Sequence, residues 1–292
     1  MRLRDLRTRY HSALLESVLT EKDRRIVGGK SMPVMSNADG ASEISVFLAA
    51  GAAARMGASS MRAPVAGSTS GSAFETATLA FVREALSALE PLTGRLVVDR
   101  GRLISRFEQY THLDEIKAIV SSNVVLESAI GGDYLVRPDI VVSREPVPEA
   151  ETSRLFDDLG EGNLARYTPR RAANNQTPEL HASISCKWTI RSDRSQNTRT
   201  EALNLSRNRK GRSPHIVAVT MEPLPGRLAS IAIGTGDIDC VYHGALNELV
   251  EAAREGARTL GGGYAAAADR LDVLIRGRRL RDIADLPFDL AD

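Results

Sequence analysis

The run His181-Ala-Ser-Ile-Ser-Cys-Lys-Trp-Thr-Ile190 sets a single lysine among alternating apolar and polar residues. In an extended strand successive side chains face opposite ways. Ile184, Cys186, Trp188 and Ile190 then fall on one side, and Ser183, Ser185, Lys187 and Thr189 on the other. If helices cover both faces, Lys187 is partly buried, and an ammonium there needs an anionic partner or a depressed pKa. Asp139 is the candidate anion, because it interrupts the apolar run of a strand expected at 134–143, Arg137-Pro-Asp-Ile-Val-Val142. On neighbouring strands the two would meet. A carboxylate can hold a divalent metal against a phosphate while a lysine stabilises developing charge or orients water, which is the chemistry of phosphodiester hydrolysis. The competing reading is an edge strand with one wet face.

Two further carboxylates could join them. Glu201 follows Lys187 after 13 intervening residues, one strand end and two helical turns on, so it can point back to the same cleft. Glu75 lies on a helix expected over 73–89. Taken singly, each reads as an ordinary helix carboxylate; only the constellation raises them.

Arg191-Ser-Asp-Arg194 stands where that strand turns into a helix expected over 193–209. The first residues of a helix laid in the major groove reach base edges. Arginine pairs bidentately with guanine and aspartate accepts from cytosine N4, so two arginines and one aspartate suit adjacent C·G pairs. A symmetric dimer would read CCGG as a palindrome. A solvated, salt-bridged turn is the alternative, and spacing alone favours it.

The elements that must hold these groups alternate in type. Helical periodicity covers 3–20 and 43–56, with a Gly/Asn/Asp/Pro-rich loop between them at 27–41. A small-residue loop at 57–72 ends on Ser72 as a helix cap. Strands are expected near 95–99, 134–143, 181–190, 214–221 and 238–242, and helices at 112–129, 193–209, 244–259 and 264–275. Gly261-Gly-Gly263 breaks the last two helices apart, and 145–178 is irregular and charged. Strands alternating with helices indicate an α/β sandwich. The length favours a single domain over 1–292, with an N-terminal helical portion (about 1–90) and a catalytic α/β core (about 91–292).

Bulk properties bound the function. Hydrophobic content is 42% with 4% aromatics and 26% charged residues, as in an ordinary globular chain. The basic start Met1-Arg-Leu-Arg lacks an apolar h-region, and no stretch approaches a membrane span, so a cytoplasmic protein is expected. Cys186 and Cys240, without CxxC spacing, argue against a disulfide scaffold or a zinc site. A net charge of +1 argues against nucleic acid, but seven basic residues against two acidic ones between Arg191 and Arg212 show that the average conceals a local excess.

The run His181–Arg194, continuing to Asn208-Arg-Lys-Gly211, resembles the NgoMIV-type restriction endonucleases of the CCGG-recognising group. The likeness extends through Ser36-Asn-Ala-Asp-Gly40, Thr69-Ser-Gly71 with Ala73-Phe-Glu75, Arg137-Pro-Asp-Ile140, Gly234-Thr-Gly236, Ile238–His243 and Ile283-Ala-Asp-Leu-Pro287, most of the chain. It implies the PD-(D/E)xK fold, a mixed central sheet flanked by helices, in the variant whose second carboxylate, here Glu201, has moved to the helix after the lysine strand. It further implies a Mg²⁺-dependent enzyme in which Asp139 and the carbonyl of Cys186 bind metal, Lys187 is the catalytic lysine, and Ser185, Glu201 and Glu75 complete the cleft. Arg191, Asp193 and Arg194 would read CCGG, and Asp39 and Arg227 the outer G·C pair, giving GCCGGC. Ser68 and Ala41 stand where the family has Gln and Ser, which opens the outer base to relaxation. A homotetramer on double-stranded DNA, with a dimer left open, and a companion methyltransferase without stable contact are also implied.

Three other functions remain open on the residues. A repair or junction nuclease of the same fold would need Asp139 and Lys187 but not the readers at 191–194. A sequence-specific DNA-binding protein would bind without cutting. A small-molecule metalloenzyme could use Asp237, Asp239 and His243, though a structural turn is the preferred reading of that spacing.

Overall fold

The computed structural model describes residues 2–58, 67–132, 134–156, 158–159, 164–234 and 236–291; the side chains of 67–69 and 192–195 are outside the description. The chain begins with α1 (Leu3–Ser17), the hairpin β1 (Glu21–Val27) and β2 (Lys30–Met35), α2 (Glu43–Arg55) and α3 (Gly67–Thr93). It continues through β3 (Leu96–Arg100), α4 (His112–Ser121), α5 (Val124–Ile130), β4 (Ile140–Arg144), α6 (Glu149–Thr152) and β5 (Glu179–Lys187). The remainder is α7 (Ser192–Asn208), β6 (His215–Thr220), α8 (Pro225–Ala232), β7 (Cys240–His243), α9 (Leu246–Thr259), α10 (Gly263–Arg276), β8 (Leu280–Asp282) and α11 (Leu286–Asp289).

Among the described residues one sheet orders six strands as β3-β4-β5-β6-β7-β8. β3, β4 and β5 run antiparallel, and β5 through β8 run parallel. The mixed sheet is the expected one. Its parallel half is buried on both faces, so β6 reads as a nearly continuous apolar run, Ile216-Val-Ala-Val219. Val217 and Val219 join Ile184 and Cys186 in one core with Leu14, Phe74, Phe81 and Leu86 of α1 and α3. Ile216 and Ala218 join a second core with Ala202 and Leu205 of α7, Leu228 of α8 and Leu249 of α9. α3 and α7 therefore cover opposite faces of the sheet.

Four expectations need correction. The first half of the loop expected at 27–41 is a hairpin: β1 and β2 pair from Glu21↔Met35 to Val27↔Lys30 around Gly28 and Gly29. Both glycines have positive φ, 56° and 76°, as a two-residue hairpin turn of this hand requires. Helix α3 starts at Gly67 rather than after a Ser72 cap, so Ser72 lies inside it. The helix expected over 112–129 is broken at Asn123, whose side chain accepts from the N–H groups of Val125 (3.0 Å) and Leu126 (3.2 Å) and caps α5. The strand expected from 134 begins only at Ile140, after Pro138, which has no N–H for a ladder. Asp139 thus sits at the strand's threshold rather than within it.

No helix among the described residues is long and apolar enough to cross a membrane.

Candidate active site

β4 and β5 place Ile140 opposite Ile184, which brings Asp139 to the carboxyl end of β5. Asp139 Oδ2 accepts the backbone N–H of Cys186 at 2.7 Å and faces Lys187 Nζ at 3.2 Å. The pair is withdrawn from solvent, with side-chain exposures of 24% and 18%. A carboxylate held by a charged and a backbone donor at once is fixed in direction.

The approach to Asp139 is guarded by a residue that sequence reasoning missed. A Cβ on Gly101 would lie 2.1 Å from the carbonyl oxygen of Pro138, so only glycine fits where β3 leaves the sheet. Its N–H donates to the Asp139 carbonyl at 2.9 Å. The available signal was a lone glycine after a β strand, a weak one.

Glu75 and Glu201 arrive from helices on opposite faces. Phe74, fully buried, packs its ring against Trp188 just beyond β5 at a centroid distance of 5.5 Å, which sets the neighbouring Glu75 over the strand end. Burial raises the Glu75 carboxyl above its ordinary range, the charge of Asp139 raises it further, and Arg100 and Lys187 oppose the shift. Glu201, on α7, is likewise raised first by burial, with Lys187 opposing and Asp139 adding. Both carboxyls therefore sense Asp139 and Lys187, and two cations, Lys187 and Arg100, face three acidic groups. Burial, then Asp139 and Glu75, push the Cys186 thiol well above its usual value; it stays protonated, and its side chain belongs to the core.

Ser185 shares the polar face with Lys187 and is buried, and among the described residues its hydroxyl Oγ has no hydrogen-bond partner. A buried hydroxyl without a partner is costly, and this one stands beside Asp139 and Lys187, where a bound oxygen ligand or water could satisfy it. The donor set of carboxylates, hydroxyl and backbone carbonyl is all oxygen, and its charge is short of cations, which suits a hard divalent ion. Among the described residues no three His, Cys, Asp or Glu side chains converge closely enough to enclose a metal. The fit is to an ion such as Mg²⁺, which takes one or two carboxylates and fills its shell with water and phosphate oxygens, rather than to a protein cage.

The expected recognition residues divide. Arg191 is exposed and directly precedes α7. The side chains of Asp193 and Arg194, like that of Ser68, lie outside the described residues. Asp39 and Arg227, far apart in sequence, are brought together as an ion pair. Ala41 donates its N–H to Asp39 Oδ1 at 3.1 Å, so it sits beside that pair. Arg199, part of the basic excess, spends its guanidinium on the carbonyls of Ser230 (2.7 Å) and Ile233 (2.9 Å) near the end of α8, a structural task.

The trio Asp237, Asp239 and His243 does not form a site. Asp239 accepts the N–H of Ile216 at 2.8 Å. His243 is buried; Nδ1 accepts from Ala245 N–H at 3.0 Å, so Nε2 carries the proton and donates to the carbonyl of Glu222 at 3.2 Å. Burial lowers its pKa to about 4 and keeps the ring neutral. Both ring nitrogens are committed to the fold.

Comparison with known proteins identifies the family. The NgoMIV restriction enzyme family profile matches residues 10–292. The type II restriction enzyme NgoMIV of Neisseria gonorrhoeae is 44% identical over 288 residues, covering 97% of this chain and 96% of the relative. A match of that extent, spanning both the Asp139–Lys187 pair and the flanking helices, shows that the chain belongs to the NgoMIV restriction enzyme family.

Proposed function

We propose that this protein is a Mg²⁺-dependent type II restriction endonuclease that hydrolyses duplex DNA within a CCGG palindrome, GCCGGC in its extended form. The observation that carries the reading is the Asp139–Lys187 pair at 3.2 Å, half-buried at the carboxyl edge of the sheet between two further carboxylates.

In this reading Asp139 and the Cys186 carbonyl, with Glu201 completing the cleft, would hold the ion, which would supply Lewis acidity toward the scissile phosphate. Asp139 is oriented for that task by the Cys186 N–H. Lys187 donates toward the phosphate oxygens, where its charge offsets the negative charge that builds as the bond breaks. The unpartnered Ser185 hydroxyl offers one more donor in the same cleft. Glu75, its proton affinity raised by burial, is suited to accept a proton from the attacking water.

Recognition falls to Arg191, Asp193 and Arg194 at the start of α7 for the inner pairs, and to Asp39 and Arg227 with Ser68 for the outer pair. Assembly as a homotetramer, or a dimer, is supported by exposed apolar residues along α4 and α5, Ile119, Val124, Val125 and Ile130, which a second copy would cover.

Incubation of supercoiled plasmid DNA with the protein and Mg²⁺, followed by sequencing of the ends, tests the proposal. Ends confined to CCGG-containing palindromes, absent when EDTA is added, are the expected result. Binding without cutting, or cutting at no defined sequence, would overturn it.

A further inference from the structure

Glu222 lies just beyond β6 and its side chain is fully buried, at 0% exposure, yet it belongs to neither the catalytic pair nor the residues expected to meet DNA. A carboxylate is rarely placed so deep unless both oxygens are engaged. Here Oε2 accepts the backbone N–H of Ile190 at 2.9 Å, and Oε1 accepts the N–H of Leu224 at 3.1 Å. Oε2 also faces Arg227 Nη1 at 3.8 Å, and Arg227 is in turn paired with Asp39.

The main chain of Glu222 is as firmly tied. Its N–H donates to Thr220 Oγ1 at 3.1 Å, and its carbonyl accepts a hydrogen bond from His243 Nε2–H at 3.2 Å. The neighbouring Met221 carbonyl accepts Asn37 Nδ2 at 2.7 Å, which pins the loop carrying Asp39 to the same turn. The Glu222 side chain therefore ties two segments directly, the strand exit that leads from Ile190 into Arg191 and the start of α8 that carries Arg227, while the loop that carries Asp39 joins the same turn through Asn37 and through Arg227. The register explains why, since Lys187 pairs with Thr220 and the two chains leave the sheet side by side.

We propose that Glu222 is a positioning residue for sequence recognition, a buried carboxylate that locks the arm beginning at Arg191 to the Arg227–Asp39 pair, so that inner and outer base pairs are read as one rigid unit. The inference rests on the recognition roles given above to Arg191, Asp39 and Arg227. Glutamine is the informative replacement. It keeps the shape but can accept with only one of its two terminal atoms, and it removes the charge facing Arg227.

The test is a cleavage profile over duplexes carrying every single substitution at the four inner and two outer base pairs, with thermal unfolding of each variant measured alongside. Glu222→Gln is expected to lose discrimination at inner and outer positions together, by roughly ten- to a hundredfold. Arg227→Ala should lose it at the outer pair alone, and the double variant should lose no more there than either single one, because the two act through one contact. Should the glutamine variant not fold, Glu222→Asp, which keeps the charge but cannot span both N–H groups, carries the same measurement. A profile unchanged at every position, with only a uniform drop in rate or melting temperature, would make Glu222 a plain structural tie and overturn the proposal. A wild-type chain that cuts without sequence preference removes the recognition reading and this inference with it; defined cutting by the wild type with an unaltered profile in the variant removes this inference alone.

Discussion

Arg7 and Lys187 are both largely withdrawn cations facing carboxylates, and their surroundings treat them differently. Arg7 bonds Asp282 twice, from Nε at 2.8 Å and Nη2 at 2.7 Å, and Glu248 twice, from Nη1 at 2.7 Å and Nη2 at 2.6 Å. Asp282 accepts two further N–H groups, from Leu246 and Ala284. Burial alone would raise the Glu248 carboxyl, but the hydrogen bonds and charge of Arg7 overcome it and hold the group below its ordinary range. Around Lys187 the same burial wins: Glu75 and Glu201 are raised, and the Ser185 hydroxyl is left without a partner among the described residues. The first cluster is saturated by the protein and joins α1 to the sheet. The second is unfinished in the protein, which is the condition of a site that a phosphate and a cation must complete.

Removing each cation in turn is the strongest way to break this contrast. Lys187→Ala should lower Mg²⁺-dependent cleavage by about 10²–10³-fold, the usual cost of deleting one preorganised donor to a developing charge, while DNA binding survives. Single-turnover rates beside gel-shift affinities measure both. A variant that still cuts within tenfold of wild type would remove Lys187 from the chemistry. Arg7→Ala should do the opposite, costing about 3 kcal/mol of stability because Asp282 and Glu248 lose the cation they share, with cleavage per folded molecule retained. Urea unfolding followed by activity at low denaturant reads the two effects separately.

The recognition arm supplies a smaller test. Arg191 stands exposed beyond a strand whose end Glu222 anchors, so its contribution should appear only when DNA is present. Arg191→Ala should cost about 1–3 kcal/mol of discrimination at one inner guanine and leave the melting temperature of the free protein unchanged. Unaltered specificity would move the inner readout elsewhere.

The two clusters were not equally legible in the sequence. Asp139 stood out because it interrupts an apolar run at the entry to a strand, and Lys187 because it is the one charged residue on the polar face of an alternating strand; period-two alternation needs no tertiary information. The order of α and β elements likewise disclosed the sandwich. Gly101 and Glu222 were not legible, because their roles depend on which carbonyl or N–H lies across from them. The hairpin was hidden by the charge of β1, Glu21-Lys-Asp-Arg-Arg25, an exposed two-stranded ribbon with little apolar alternation to see; only Gly28-Gly29 announced it. The early start of α3 at Gly67-Ser-Thr-Ser-Gly-Ser72 runs against helix propensity, which is why the sequence pattern placed the start later.

Titration offers the finest discrimination between the clusters, because the signs differ. In metal-free buffer Glu201 has a folded-state pKa above the ordinary value of 4.5, so the folded chain binds that proton more tightly than the unfolded one. Its effect on stability grows more favourable as pH falls through the raised value and is unfavourable at neutral pH. Glu201→Gln should therefore raise the melting temperature at pH 7 while reducing cleavage, and the difference should close in acid. Glu248, whose folded pKa lies below 4.5, contributes stability above that value and loses it as pH falls through the lowered one. Glu248→Gln should accordingly lower the melting temperature at pH 7 and converge with wild type in acid from the other side. Melting curves of the two variants from pH 4 to 8, plotted as differences from wild type, should have opposite signs at neutral pH. Curves of the same sign would mean that the site around Lys187 is as fully satisfied by the protein as the one around Arg7.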